Sequence, residues 1–161
     1  MHSEIDIRIA ARPDLVFALA HDVERWADLL PHYSRSVAVE RRPDGSLIVG
    51  FIARRPLIGV LGLGLPVTWR SQTWSESASR RLRFVHVAGA TKGMDVTWRI
   101  DADSDGTHVV IAHDFRPRLP AFAAVVDRFF TRPIAGRTLA TFKALAEAVQ
   151  SETILPANPS R

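Results

Sequence analysis

From Ser34 to Phe115 the sequence returns again and again to short apolar-rich runs at hairpin spacing, and a long helical stretch follows them. The runs are SRSVAVERR, SLIVGFIAR, VTWRSQTWSES, RLRFVHVAG, MDVTWRID and THVVIAHDF. PDG, ASR, GATKG and ADSDG separate most of them, and such segments turn a chain because proline fixes φ while glycine and aspartate tolerate tight turns. Short strands joined by such turns build an antiparallel meander. An earlier strand is written in SEIDIRIAA, where Ile5, Ile7 and Ile9 alternate with Glu4, Asp6 and Arg8. Two short helices should follow it. PDLVFALAHD opens on Pro13, suited to a first helical turn, and VERWADLL has Asp22 as N-cap and stops at Pro31.

The region from about Pro120 to Gln150 is helical by spacing, with Phe122, Val125, Val126 and Phe129 on one face and Leu139, Phe142, Ala146 and Val149 on another. Pro133 should kink it near Thr131 and Arg132. A sheet of this size leaves one face to be covered, and only the last helix is long enough to cover it. The expected fold is therefore α+β, a curved antiparallel sheet of about seven strands around a long C-terminal helix. Residues 1–150 form one domain in this reading, and 151–161 a flexible tail.

Strand alternation decides which side chains share the space between sheet and helix. Trp69, Ser71 and Thr73 point one way from their strand; Leu82, Phe84 and His86 from the next; Met94, Val96, Trp98 and Ile100 from the third. Val109, Ile111, His113 and Phe115 make the larger set of the last strand. Aromatic walls with a few hydroxyls and imidazoles suit a small-molecule pocket better than a solid core. The segment Pro56 to Pro66, PLIGVLGLGLP, carries no charge and reads as a lid over that pocket, through Leu61, Leu63 and Leu65. It could equally be a peripheral membrane contact or a homodimer surface.

Other chemistries find little support. The chain has no cysteine, which excludes disulfides and thiolate zinc sites. Asp101, Asp103 and Asp105 imitate half a calcium loop, but Ala112 stands where its bidentate glutamate belongs, so they read as a hairpin turn. His108 and His113 lie on opposite faces of a strand and cannot chelate one metal. Neither a metal nor a cofactor is expected. Arginine supplies the net charge of +4, in pairs beside turns and strand ends, so nucleic acid is not an expected partner. The N-terminus has charges where a signal peptide's apolar core would lie, and the longest uncharged apolar run falls far short of the ~20 residues that span a bilayer. The expected location is cytoplasmic.

The motif DVERWADLLPHYSRSVAVERRPDG, followed by VTWRSQTW, RRLRFVHV, MDVTWRI and GTHVVIAHDF, resembles the polyketide cyclase/dehydrase branch of the START-like, helix-grip superfamily (SRPBCC). That branch includes aromatase/cyclases and coenzyme Q-binding START proteins. The resemblance implies a sheet gripping the last helix around an apolar cavity, with 56–66 at its mouth. It implies binding of a hydrophobic polyketide-like or aromatic molecule, with cofactor-independent cyclisation or dehydration as the associated chemistry. The alternative it implies is a non-catalytic lipid or quinone carrier.

Trp26, Tyr33, Trp69 and Ser71 match cavity positions of the aromatase/cyclases, while Thr73 stands where those enzymes carry an arginine. The candidate proton-handling residues are Tyr33, His86 and His113. The candidate ligand-binding residues are Trp26, Leu30, Trp69, Ser71, Thr73, Phe84, Trp98, Phe115, Phe122 and Phe129.

Overall fold

Seven strands and the helices that close them follow the expected order. The computed structural model describes residues 1–56 and 64–154. The strands are β1 (His2–Ile9), β2 (Tyr33–Arg41), β3 (Leu47–Pro56), β4 (Gly64–Glu76), β5 (Arg81–Gly89), β6 (Asp95–Asp103) and β7 (Gly106–Asp114). They form one antiparallel sheet in the order β1-β7-β6-β5-β4-β3-β2. Six of the seven are thus hairpin neighbours, and β1 closes the far edge by pairing with β7. β4 opens at Gly64, earlier than the sequence suggested, which leaves 57–63 as the connection outside the described residues. Register shifts interrupt β2 between Tyr33 and Arg35 and between Ala38 and Glu40, and β5 has Val87 as an extra residue opposite the Arg70–Ser71 step. Such bulges bend a strand and tighten its twist, which curves the sheet toward the helix.

Between β1 and β2 lie α1 (Pro13–His21) and α2 (Trp26–Leu29). α1 begins on its proline, as expected. The second helix is not continuous: Val23–Arg25 form a 3-10 turn before α2, and the Asp22 side chain makes no cap hydrogen bond. The turn is held by backbone instead, Arg25 N–H donating to the Asp22 carbonyl over 3.1 Å. Tightening the chain there swings Trp26 inward, where its indole N–H donates to the Ala20 carbonyl (3.0 Å).

The C-terminal region comprises α3 (Pro120–Val126), a π-helical turn (Asp127–Thr131) and α4 (Arg132–Ile154). Pro133 has no N–H for the carbonyl one turn earlier. The chain absorbs that loss in the widened turn just before it, where Arg132 N–H reaches the Asp127 carbonyl five residues back. The interruption falls where the proline predicted, and it shifts the helical register. Ala123 and Val126 are buried on α3, and Ala135, Thr138, Leu139, Phe142 and Ala146 on α4, whereas Phe122, Val125, Phe129 and Val149 are exposed. Phe122 and Val125 precede the π turn, and there α3 itself turns Ala123 and Val126 inward and leaves the neighbouring face exposed.

The arginine pairs at strand ends satisfy acidic neighbours: Arg41 with Glu24, Arg42 with Glu40, Arg80 with Asp14 and Arg81 with Asp101. The aspartate-rich segment is the β6–β7 hairpin, with Gly106 at φ +148. A Cβ there would lie 2.2 Å from the Ile9 carbonyl oxygen. Gly106→Ala is therefore expected to lower the unfolding free energy by about 2–3 kcal/mol; an unchanged midpoint in urea would refute this. Among the described residues no helix is long and apolar enough to cross a membrane.

Candidate functional site

The space inside the sheet is smaller than the inward-facing pattern suggests, because Trp26 fills much of it. Its ring packs against Tyr33, Phe51, Phe84, Trp98 and Phe142 with centroids 5.5–5.9 Å away, and the residue is 3% exposed. What remains is a cavity of about 90 Å³. On the sheet side its wall is Tyr33, Trp69, His86, Met94, Trp98, Ile111 and His113; on the helix side it is Phe130, Thr131, Ile134 and Thr138. Ligand pockets typically hold about 300–1,000 Å³, so this space as it stands takes only part of an organic molecule.

The three expected proton-handling residues meet there. His86 stacks on Trp69 (5.9 Å between centroids) and shares a 2.6 Å hydrogen bond through Nδ1 with the Thr91 hydroxyl. Burial, reinforced by nearby His113, pushes the His86 pKa down to about 3. His113 is pushed down to about 4, again by burial, against the pull of Asp127. Its Nδ1 is buried without a hydrogen bond, and so is Oδ1 of Asp127, whose other oxygen accepts from Arg132 Nε over 2.8 Å. Tyr33 is held protonated: burial raises its phenol well above the ordinary value, and the Thr138 hydroxyl offsets this only in part. Both imidazoles are neutral at pH 7, so each can accept a proton there, and the phenol can donate a hydrogen bond.

Thr138 reveals a fourth titratable group that the sequence reading missed. Its hydroxyl donates to the Ile134 carbonyl (2.9 Å) and lies 2.9 Å from His32 Nε2. The other ring nitrogen of His32, Nδ1, is buried and unpartnered. Burial lowers its pKa to about 4, with Arg137 adding to the effect. The ring packs edge-on against Tyr33 at 5.0 Å. Its partner lies 106 residues away in the chain, so no local pattern could mark it.

The other candidates divide. Trp69, Phe84 and Trp98 line the cavity. Leu30 is fully buried in the core outside its wall, and Ser71 is equally buried, its hydroxyl unpartnered. Thr73 faces a second crevice, at the opposite end of the interior. Phe115 is buried beneath α3 and meets Phe122 at 6.3 Å, while Phe122 and Phe129 are 39% and 41% exposed and do not line the cavity. Leu61 and Leu63 lie outside the described residues. Leu65 is the second residue of β4 and pairs with Arg55 of β3.

Neutral buried histidines make stability depend on pH. In the unfolded chain a histidine titrates near 6.5. Their native values are lower, so stability is full above that pH and falls as the solution is acidified toward 4. Between about pH 6.5 and 5 the slope should reach at least ~1.4 kcal/mol per pH unit, one proton's worth. Urea midpoints across that window test it, and a flat profile would contradict it.

A curved antiparallel sheet folded onto a C-terminal helix, with an aromatic cavity between them, defines the helix-grip class. The chain belongs to the polyketide cyclase / dehydrase and lipid transport family, whose model matches residues 1–148. It is 26% identical over 115 residues to a Streptomyces cyaneus protein named "Putative polyketide cyclase", an alignment covering 71% of this chain and 72% of that protein. Among solved structures, the Zhui aromatase/cyclase from Streptomyces sp. R1128 superposes with a TM-score of 0.74 at 21% identity, covering 91% of this chain and 93% of the other. A START superfamily protein from Mycobacterium smegmatis superposes with a TM-score of 0.66 at 15% identity, covering 94% and 98%. These superpositions establish the shared fold.

Proposed function

We propose that this protein binds a hydrophobic polyketide-like or aromatic molecule in the interior cavity and promotes its cyclisation and dehydration. The observation that carries this is the convergence of Tyr33, His86 and His113, each uncharged at pH 7, on one apolar space. Membership in a family described as polyketide cyclase / dehydrase and lipid transport is consistent with it, and the names of the similar proteins support it.

The chemistry asks for little else. A methylene between two carbonyls is acidic enough for a neutral imidazole to deprotonate. His113 takes that proton, and the resulting enolate carbon attacks a carbonyl carbon elsewhere in the folded ligand, forming the ring bond. The attacked oxygen recovers the proton from the imidazolium, and loss of that hydroxyl with a neighbouring proton releases water. Asp127, with one buried oxygen free of hydrogen bonds, stabilises the imidazolium while it lasts. The Tyr33 phenol donates to the carbonyl on which charge develops, the role that an arginine cannot fill here because Thr73 occupies the matching position. The aromatic walls hold the chain folded so that the two reacting carbons meet.

The test is to supply a poly-β-ketone mimic and compare products with no protein, the wild type and Tyr33→Phe. The wild type should divert the mimic to one cyclised product, and the variant should slow this by about 10–100-fold. A product distribution that is the same with and without protein would remove the catalytic reading and leave a carrier.

A further inference from the structure

The cavity is too small for the ligand class proposed above, and the molecule contains the missing space at its other end. A crevice of about 220 Å³ lies among the end of α1, the 3-10 turn and the ends of β3, β4 and β5. Its lining includes Asp22, Glu24, Thr73 and Ser75. One residue belongs to both walls: Phe84 faces the cavity on one side and the crevice on the other.

Phe84 is also the part of this partition best able to move. Trp26, its neighbour at 5.6 Å, is fixed by the hydrogen bond from its indole to Ala20. The Phe84 ring is held by packing alone, against Trp26, Phe51 and Trp98 at 5.6–6.5 Å. Beyond it, Thr73, opposite Phe84 in the β4–β5 register, is 4% exposed and lines the crevice.

We infer that cavity and crevice are two halves of one binding channel, that displacement of the Phe84 ring joins them, and that the crevice is a subsite for the far end of an elongated ligand. This rests on the reading that the cavity binds an apolar ligand. Joined, the two spaces reach the ~300 Å³ at which ligand pockets begin. The crevice also states a preference. Glu24 is paired with Arg41, but the Asp22 carboxylate at the same rim has no ion pair among the described residues. A carboxylate end is repelled there, whereas a hydroxyl or enol end meets Thr73. The ligand is thus an elongated apolar molecule whose far end is a neutral hydrogen-bonding group.

Calorimetric titration with phenyl β-diketones bearing ω-hydroxyalkyl tails of graded length tests this, with matched ω-carboxylates alongside. In the wild type the long hydroxyl probes should bind more tightly than the short ones and than the long carboxylates. Ser75→Trp, an exposed substitution that fills the crevice, should weaken only the long probes, by about tenfold, the scale of losing a methylene or two of pocket contact. Phe84→Leu should favour the long probes over the short ones, raising the ratio of their affinities above that of the wild type. Equal loss for short and long probes in Ser75→Trp, or no advantage of length in the wild type, overturns the channel while the cavity still binds. Failure of every probe to bind any of the proteins overturns the cavity reading and this inference with it.

Discussion

Replacing His113 with glutamine should lower cyclisation of a poly-β-ketone mimic by about 10–100-fold, at or below the low end for a positioned general base because a native value of about 4 makes the imidazole a weaker base than one matched to pH 7. Glutamine keeps a similar volume and a polar end, so the cavity wall stays in place while the ability to take a proton is lost. His113 is singled out over His86 by its surroundings. The Nδ1 of His86 is already engaged by the Thr91 hydroxyl at 2.6 Å, whereas that of His113 has no hydrogen-bond partner and the Asp127 carboxylate lies near enough to favour its protonated form. The corresponding loss for His86→Gln should therefore be smaller. Single-turnover rates of the two variants decide the matter: equal losses, or a larger one at His86, would reverse the assignment. The native value of about 4 also means that acidification should not titrate the base until well below pH 6, so the rate should be flat from there to pH 8 on this group's account.

Replacing Trp26 with alanine should lower the unfolding free energy by about 3–5 kcal/mol. Five aromatic rings lose their common neighbour, and the Ala20 carbonyl loses its donor. Trp26→Phe isolates the second effect, since it keeps most of the ring packing and removes only the N–H, and should cost about 1–3 kcal/mol. Chemical denaturation measures both. A loss below about 1 kcal/mol for the alanine variant would mean that the interior collapses readily around the gap, contrary to the packing seen here.

Trp26 also shows where sequence reading succeeds and where it stops. Period-two alternation correctly placed Trp69, Ser71 and Thr73, then Leu82, Phe84 and His86, on one side of the sheet, because a strand leaves each side chain only two directions. It could not say how far each one reaches. Trp98 lines the hollow as its alternation implies, but Trp26 also fills much of it, and Ser71 faces inward without touching the cavity. Depth is a tertiary property, set by what packs from the other side.

The helix posed a different difficulty. Pro133 announced an interruption, but not that the chain would take it as a π turn, and one extra residue in a turn rotates every later side chain. Phe122, ahead of that turn, is exposed because α3 buries Ala123 and Val126 instead, and Phe130, Thr131 and Thr138, which line the cavity, follow no spacing that marks them. His32 was legible only as a neighbour of Tyr33. The family resemblance supplied what local pattern could not, since the motif from Asp22 to Gly45 and its continuation through the strands pointed to the grip fold and to a pocket within it.

The central claim is that the space between sheet and helix receives an apolar organic guest. Methyl-resolved NMR of the wild type titrated with an aromatic β-diketone tests this most directly, because Ile111 and Ile134 face the cavity from opposite sides. The account predicts saturable shifts at both methyl groups, with Ile48 and Ile100, buried elsewhere, unaffected. Shifts at neither cavity isoleucine, with the probe perturbing only exposed side chains, would contradict it.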